Sequence, residues 1–318
     1  MKNTKQEERN IITIEAKDLV ARYEKVEALR IEALKLSGRV VAVVGHNGSG
    51  KSTLIKTALG LLGNAGSLSI SRTNSWGDKT ILIPEKHMAY SPERGSVFSD
   101  ITVENYIKLW CRIKQNNAKY YLGEGRKYLE QLGVEPLLSK LGRNLSKGER
   151  RRVQTAVGFI SNPLLFFFDE PFDGLDVRQA SYLAEIMMEA STSMGLIISS
   201  HQMNVVERLA DKIIVLKDGA IHACGGVEEV SRELAEKTWC LKVGSEEVAF
   251  ELCMGSKEIF SNSLIHQQNR RIYFTGSDLN KAELTSWCYE IGVGEFELEE
   301  NSPNLTDAMG YHLMKLQN

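Results

Sequence analysis

Glycine, lysine and hydroxyl residues occur together in an order suited to binding phosphate. The segment reads Gly45-His46-Asn47-Gly48-Ser49-Gly50-Lys51-Ser52-Thr53, which fits the P-loop pattern G-x-x-x-x-G-K-[ST]. Glycines let the backbone curl so that N–H groups face phosphate oxygens, and the N-terminus of a following helix adds its own. We predict that Lys51 reaches the β- and γ-phosphates of a nucleoside triphosphate, that Ser52 binds Mg²⁺, and that Thr53 continues the first helical turn. A turn that only joins a strand to a helix would not require the lysine and the hydroxyl.

Two consecutive carboxylates end an apolar segment further along the chain. Leu164–Phe168 is wholly apolar, and Asp169 and Glu170 follow it directly. A P-loop ATPase uses one carboxylate to hold Mg²⁺ and another to polarise the attacking water as general base. We predict the metal role for Asp169 and the base role for Glu170. In the alternative interpretation, Asp169 only caps the next segment.

A parallel sheet would bring these side chains together. From Ile11 to about Val230, short β-rich runs alternate with amphipathic helical segments, which predicts a layered α/β domain with a largely parallel sheet. Asp176–Met194 has helical spacing, and Thr102–Leu141 reads as several helices that form an insertion. The clearest buried strands are Val40–Val44, Leu164–Phe168, Leu196–Ser199 and Ile213–Leu216.

The pattern changes after a predicted hairpin turn at Lys217-Asp218-Gly219 and a helix at Val227–Glu236. The remaining sequence, residues 236–318, predicts a small α+β appendage. Its predicted strands are Thr238–Val243, Val248–Leu252, Arg270–Phe274 and the extended Glu295–Leu298, and its predicted helices are Asp278–Ile291 and Asn304–Leu316. We therefore divide the chain into a disordered tail (1–10), a large domain (11–235, with the insertion at about 95–160) and a small domain (236–318).

Composition narrows the class of protein. The formal net charge is −2 and the pI is about 6.4, so no nucleic acid is expected as partner. The charged run 149–152 is accordingly interpreted as a solvated helix face. The five cysteines lack C-x-x-C spacing, which predicts neither a zinc site nor a disulfide framework. No secretory signal and no apolar stretch of about 18 residues is found, so we expect no membrane crossing by this polypeptide.

One further motif makes the resemblance specific. Leu145-Ser146-Lys147-Gly148-Glu149 resembles L-S-G-G-Q, the signature of ABC ATPases, with Lys147 and Glu149 as departures. The chain is thereby identified as similar to the nucleotide-binding subunit of an ABC transporter. The resemblance implies that Ser146 and Gly148 bind the γ-phosphate of an ATP held by a second subunit, a task that suits a helix N-terminus. Alone, this segment could be an ordinary helix cap.

Four more positions follow the order of the family. By resemblance, Asp176 belongs to the D-loop that couples the two sites, and His201 is the switch histidine that contacts the γ-phosphate. Tyr23 matches the aromatic residue that stacks on adenine, although it could instead pack in the N-terminal sheet. Glu93, in Met88–Glu93, stands where the family normally has a glutamine that serves Mg²⁺ and the attacking water. A carboxylate there adds a charge beside the metal.

The resemblance also implies a function. It predicts an ATPase, peripheral on the cytoplasmic face of the membrane, that uses ATP and Mg²⁺, pairs with a second nucleotide-binding subunit as homodimer or heterodimer, and drives a separate permease. The loop at Glu93 and the tail 303–309 resemble the bacterial branch that exports drugs, lipids, polysaccharides or peptides. The alternatives are a soluble ABC ATPase acting in DNA repair or translation, and a P-loop kinase or GTPase. No cluster in the appendage indicates catalysis.

Overall fold

The computed structural model describes residues 10–115, 117–235, 237–276 and 279–315. Residues 1–9 of the predicted tail, and residues 236, 278 and 316 at the ends of three predicted helices, lie outside them. The chain forms two compact units, Met1–Cys224 and Gly225–Asn318. The second unit therefore begins before the predicted boundary at residue 235, because the helix that starts at Val227 contacts the C-terminal helix of the same unit.

The first unit contains two sheets and a helical region. Its strands are β1 (Ile11–Tyr23), β2 (Val26–Gly38), β3 (Val40–Val44), β4 (Asn64–Thr73), β5 (Lys79–Ile81), β6 (Met88–Ser91), β7 (Leu165–Asp169), β8 (Gly195–Ser200), β9 (Lys212–Lys217) and β10 (Ala220–Gly226), the last of which ends just beyond the division. Its helices are α1 (Lys51–Ala58), α2 (Pro84–His87), α3 (Val103–Gln115), α4 (Arg126–Gln131), α5 (Lys147–Ile160), α6 (Val177–Ala190) and α7 (Met203–Leu209).

The larger sheet positions the chemistry. Its strand order is β10-β9-β3-β8-β7-β6, and β6, β7, β8, β3 and β9 pair in parallel. The predicted parallel α/β sheet is thus confirmed. Since β3, β8 and β7 are neighbours, the residues that follow their carboxyl ends meet along one edge, where ligands of such sheets bind. The smaller sheet is antiparallel, in the order β2-β1-β4-β5.

Successive side chains of the central strands enter two different cores. Val41 and Val43 pack with the antiparallel sheet, whereas Phe166 and Phe168 pack with the helical region. This two-sided burial explains why the strand sequences are continuously apolar. The close approach of α5 to β7 depends on Gly158, because a Cβ there would lie 2.0 Å from Cζ of Phe166.

The stretch predicted as several helices contains α3, α4 and short 3-10 turns. Thr102 begins α3 as the sequence suggests, with its hydroxyl accepting a bond from the N–H of Asn105 at 3.3 Å. α5 returns along the same hydrophobic core, which includes Val153, Phe159 and Ile160. No helix in the described part of the chain is both long and apolar enough to span a bilayer.

The second unit has an antiparallel sheet with the order β12-β13-β11-β14. Its elements are α8 (Val227–Leu234), β11 (Lys237–Lys242), α9 (Glu246–Ile259), β12 (Leu264–Gln268), β13 (Arg271–Gly276), α10 (Lys281–Glu290), β14 (Glu297–Asn301) and α11 (Leu305–Lys315). The predicted strand Val248–Leu252 is wrong, since these residues lie in α9. Ser245 caps α9 by accepting a bond from Val248 N, and Ala249 and Cys253 are buried at helical spacing. β12 was not predicted.

Candidate functional site

The phosphate-binding segment lies between β3 and α1, as the sequence predicts. Its backbone has positive φ at three glycines, Gly45, Gly48 and Gly50. Gly45 has φ +152°, and a Cβ there would lie 2.3 Å from the carbonyl oxygen of Leu216. Gly50, immediately before α1, has φ +106°, in the left-handed region that other residues rarely adopt. The turn is closed by a bond from Ser49 N to His46 O at 3.1 Å.

Lys51 lies inside this loop with its side chain almost fully buried. Its ammonium group donates hydrogen bonds to the carbonyl oxygens of Gly45 at 2.8 Å and His46 at 3.2 Å. The same nitrogen is 3.3 Å from Oε1 of Glu170. The lysine of β3–α1 and the carboxylate that follows β7 are therefore brought into direct contact.

Asp169, at the end of β7, is buried and accepts hydrogen bonds from three directions. Its Oδ1 accepts from Ser52 Oγ at 3.0 Å and from Ser199 Oγ at 2.6 Å, and its Oδ2 accepts from Tyr90 OH at 3.3 Å. Burial and the neighbouring charge of Asp169 both raise the pKa of Tyr90, so Tyr90 remains a donor. The alternative role for Asp169, capping the next segment, is not what these bonds show.

Glu170 adopts φ +49°, an uncommon conformation for a non-glycine residue. Its N–H is held by the carbonyl oxygen of Ser199 at 3.1 Å and by Ser199 Oγ at 2.9 Å. The carboxylate lies between His201 and Lys51. Oε2 is 2.9 Å from His201 Nδ1 and accepts a bond from His201 N at 3.3 Å. The buried Oε1 has no hydrogen-bond partner among the described residues and lies 3.3 Å from the Lys51 ammonium.

Lys51, Ser52, Glu170 and His201 line a cleft of about 710 Å³, whereas the buried Asp169 is not on its wall. The predicted site residues on its wall are Tyr23, Asn47, Gly48, Gly50, Lys51, Ser52, Thr53, Glu93, Glu170 and His201. Six further residues line the same cleft without a site role indicated by any sequence motif: Val26, Glu27, Ala28, Asp173, Asp218 and Gly219. Val26 lies opposite Tyr23 in the β1–β2 pair, and that register was not readable from the sequence.

Tyr23 and Glu93 lie on the cleft wall with exposed side chains. Tyr23 ends β1, 42% exposed, and Lys56 Nζ is 5.8 Å from its ring centroid. This exposed ring does not fill the core of the N-terminal sheet, which was the other possibility. Glu93 follows β6 and is exposed. Both places are compatible with the predicted roles.

Other predicted residues lie away from the cleft wall. Gly45 and Ser49 are buried within the loop, and the imidazole of His46 lies 3.6 Å from Asp218. Asp176 caps α6 by accepting a bond from Gln179 N at 2.9 Å. Ser146 and Gly148 are exposed at the start of α5. The structure thus does not bring Ser146, Gly148 and Asp176 to the nucleotide cleft of their own chain.

The departure at Glu149 has a local explanation. Ser146 caps α5 by accepting a bond from Glu149 N at 3.2 Å, and Glu149 Oε2 accepts the reciprocal bond from Ser146 N at 2.8 Å. This is a capping box. Lys140 Nζ is 2.9 Å from Oε1 of Glu149, and that bond is the main reason why the pKa of Glu149 is lowered.

The prediction of a solvated face for residues 149–152 is wrong for Arg151. Its guanidinium is partly buried, donating to Asp173 O at 2.5 Å and also to Glu170 O. Burial lowers the pKa of Arg151, and the negative charges of Asp173, Glu93 and Glu170 act in the opposite direction. Arg151 points inward and its neighbours in the charged run point elsewhere, because successive residues of a helix point in directions about 100° apart.

Comparison with known proteins adds the family. The family profile described as ABC transporter matches residues 33–173. The molybdenum import ATP-binding protein ModC of Aromatoleum aromaticum is 32% identical over 209 residues, which are 63% of this chain and 55% of ModC. The zinc import ATP-binding protein ZnuC of Wigglesworthia glossinidia brevipalpis is 32% identical over 214 residues, 65% of this chain and 83% of ZnuC.

Solved structures agree on the fold. One described as the ATP-binding subunit of an ABC transporter has a TM-score of 0.61 and 28% identity, and the alignment covers 70% of this chain and 92% of that one. An ATP-bound bacterial Atm1-family ABC exporter aligns with a TM-score of 0.57, but at 20% identity this likeness concerns the fold alone.

The fold and the cleft together define a P-loop ATPase. The chain belongs to the ABC transporter family, as one of its ATP-binding proteins. It spans about half the length of the ModC relative. The predicted fold class is confirmed.

Proposed function

We propose that this chain binds and hydrolyses ATP at the β3–α1 cleft and, as one of two nucleotide-binding subunits, drives a separate membrane permease. One observation carries the hydrolytic part of this proposal. The carboxylate of Glu170 is held between His201 and Lys51, 2.9 Å and 3.3 Å away, and its buried Oε1 has no hydrogen-bond partner among the described residues. This arrangement supports the role of a base directed at water beside a bound phosphate.

Each group of the cleft has a distinct task in this proposal. The P-loop backbone and Lys51 bind the phosphates, and Tyr23 stacks on the adenine. Glu170 accepts the proton of the attacking water, which adds to the γ-phosphorus as ADP leaves. His201 keeps the Glu170 carboxylate oriented through the bond at Oε2.

The residues present fit Mg²⁺. Ser52 Oγ and Asp169 Oδ1 are 3.0 Å apart, and Glu93 adds a carboxylate on the cleft wall. Oxygen ligands of this kind, completed by substrate phosphates, are those that Mg²⁺ prefers. When bound, the ion supplies positive charge that offsets the charge of the phosphates. Ser52, Asp169 and Glu93 are the residues that would hold it.

The exposed start of α5 supports pairing with a second subunit. Ser146 and Gly148 are outside the cleft of their own chain, and a Cβ at Gly148 would meet no atom within 4 Å. The backbone there is thus open to an anion brought by another chain, and the helix N-terminus favours negative charge. We infer that each subunit's α5 completes the site of the other, with Asp176 near the dimer contact.

The partner in the membrane remains a permease of unspecified cargo. The sequence motifs favoured export, but the relatives ModC and ZnuC, each 32% identical, have import in their names. We therefore propose no direction of transport. For either direction, we propose that the two nucleotide-binding subunits close on bound ATP and reopen after hydrolysis. The alternative activity in DNA repair or translation finds no support among these relatives.

The test is ATP hydrolysis by the purified full chain. Glu170→Gln removes the basic carboxylate but keeps nearly the same shape, so we expect turnover to fall by about 100-fold or more, in line with the contribution of a general base. Glu185→Gln, the same change at an exposed position of α6, is the control and should leave turnover unchanged. Equal turnover in the two variants would remove Glu170 from the base role.

A further inference from the structure

One arginine of α5 binds the main chain that carries the proposed base. Nη1 of Arg151 donates to the carbonyl oxygen of Asp173 at 2.5 Å, and Nη2 donates to the carbonyl oxygen of Glu170. A single planar guanidinium thus spans the turn between the end of β7 and the loop before α6. Hydrogen bonds from a charged donor are stronger than those between neutral groups, so this contact restrains the turn firmly.

The turn itself needs such a restraint. Glu170 has φ +49°, and a non-glycine residue persists in this conformation only when its surroundings hold it there. On the N–H side, Ser199 provides two acceptors. On the carbonyl side, Arg151 provides the donor. The direction of the Glu170 side chain therefore depends on β8 and on α5 together.

The same turn of α5 also contacts the loop that carries Glu93. A Cβ on Gly95 would lie 2.9 Å from the backbone nitrogen of Arg151, so the loop rests directly on the helix. One residue further, Ser96 N donates to Gln154 Oε1 at 2.7 Å. The loop that carries Glu93 and the turn that carries Glu170 are accordingly both attached to one segment of α5.

The free end of this helix lies one and a half turns away. α5 begins at the capping box of Ser146 and Glu149, which is the exposed end that we assign to the second subunit's ATP. A helical segment this short is a rigid element, so we infer that a displacement at Ser146 is transmitted to Arg151.

We propose that Arg151 is a positioning residue that fastens the backbone of Glu170 and Asp173 to α5, so that the place of the helix end at Ser146 sets the place of the base. This inference rests on the proposed function, because it takes Glu170 as the base. It adds a route by which the engagement of one subunit's α5 adjusts the catalytic carboxylate within that same subunit.

The test compares variants of the full chain in steady-state ATP hydrolysis. Arg151→Gln removes the charge and leaves an amide that cannot span both carbonyls. Arg151→Lys restores the charge and one donor. Arg150→Gln is the matched control, since the neighbouring Arg150 bonds instead to Arg143 O at 3.4 Å.

We expect Arg151→Gln to lower kcat by about 10- to 100-fold, the loss that corresponds to a charged hydrogen bond, with KM for ATP changed by less than about threefold. Arg151→Lys should recover part of kcat, and Arg150→Gln should match the wild type. A raised KM at unchanged kcat, or equal kcat in Arg151→Gln and Arg150→Gln, would overturn the proposal.

Two measurements keep this result interpretable. If Arg151→Gln does not fold, as judged by circular dichroism, Arg151→Lys decides: a kcat reduced at unchanged KM supports the positioning role, and a wild-type kcat overturns it. Glu170→Gln is assayed beside these variants. If it retains turnover, the proposed function fails whatever the arginine variants show. If it is inactive while the Arg151 variants are normal, only the positioning role fails.

Discussion

Ser199 provides the sharpest quantitative prediction, because its hydroxyl joins the two carboxylate residues of the site. Its Oγ donates to Asp169 Oδ1 at 2.6 Å and accepts from Glu170 N at 2.9 Å. In Ser199→Ala both bonds are lost, although Glu170 N retains the carbonyl oxygen of Ser199 at 3.1 Å. The variant therefore loosens Asp169 and Glu170, the residues that we propose as metal ligand and base, without substituting either.

The magnitude follows from the chemistry of the bonds. A hydrogen bond to a charged group contributes about 1.5–3 kcal/mol, and about 1.4 kcal/mol corresponds to a factor of ten in rate. If this stabilisation is present in the transition state, kcat should fall by about 10- to 100-fold. The free energy of unfolding should fall by about 1–3 kcal/mol, because Asp169 is buried and loses a donor.

The assay is ATP hydrolysis over a range of Mg²⁺ concentrations, together with urea unfolding. Ser200→Ala is the matched control: Ser200 is also fully buried, but its hydroxyl accepts only a bond from Gln202 N at 3.0 Å among the hydrogen bonds of the described residues. We expect Ser199→Ala to be the slower enzyme of the two at every Mg²⁺ concentration. Equal kcat in both variants would refute the reasoning that Ser199 holds the two carboxylate residues in place.

Two further predictions concern α5. Gly158→Ala should lower the free energy of unfolding, measured in urea, by about 1–3 kcal/mol, because its Cβ would lie 2.0 Å from Cζ of the buried Phe166 and overpacking outweighs the gain in helix propensity. Gly148→Ala, in open space on the same helix, should not lower it. A Gly158→Ala protein as stable as the wild type would contradict the packing described. Glu149→Ala should lower the free energy of unfolding by about 0.5–2 kcal/mol, because it opens the capping box. Glu149→Gln keeps an acceptor for Ser146 N and should lower it less. Equal losses in the two variants would show that this acceptor does not stabilise the helix.

Local patterns predicted the parts of the site that depend on consecutive residues. The glycine spacing before Lys51 and the apolar run before Asp169 each define a strand end and a functional group within a few positions. The structure brings these groups together because β3, β8 and β7 are adjacent in the sheet. The family resemblance supplied the roles of His201 and Tyr23, and both line the cleft.

The residues that were missed depend on pairing between distant segments. Ser199 can bond to Asp169 because the β7–β8 register places the two residues opposite each other. A serine near the end of a strand does not by itself indicate this pairing. Arg151 lies in a run of charged residues, and the sequence does not show which of them faces the protein, because that depends on the orientation of α5 against the rest of the fold. In the second unit, Val248–Leu252 was assigned to a strand because a short apolar run fits either element, and the cap at Ser245 favours the helix.

The central claim, that a second subunit's α5 closes each nucleotide cleft, is tested most directly by the mass of the full-length Glu170→Gln protein in solution. With Mg²⁺ and ATP, light scattering on a size-exclusion column should give twice the mass of the single chain, and the same protein without ATP should give the mass of one chain. Adding Ser146→Arg should abolish the ATP-dependent dimer while nucleotide binding persists. A Glu170→Gln protein that binds ATP but stays monomeric, or a dimer unaffected by Ser146→Arg, would contradict the account for a homodimer.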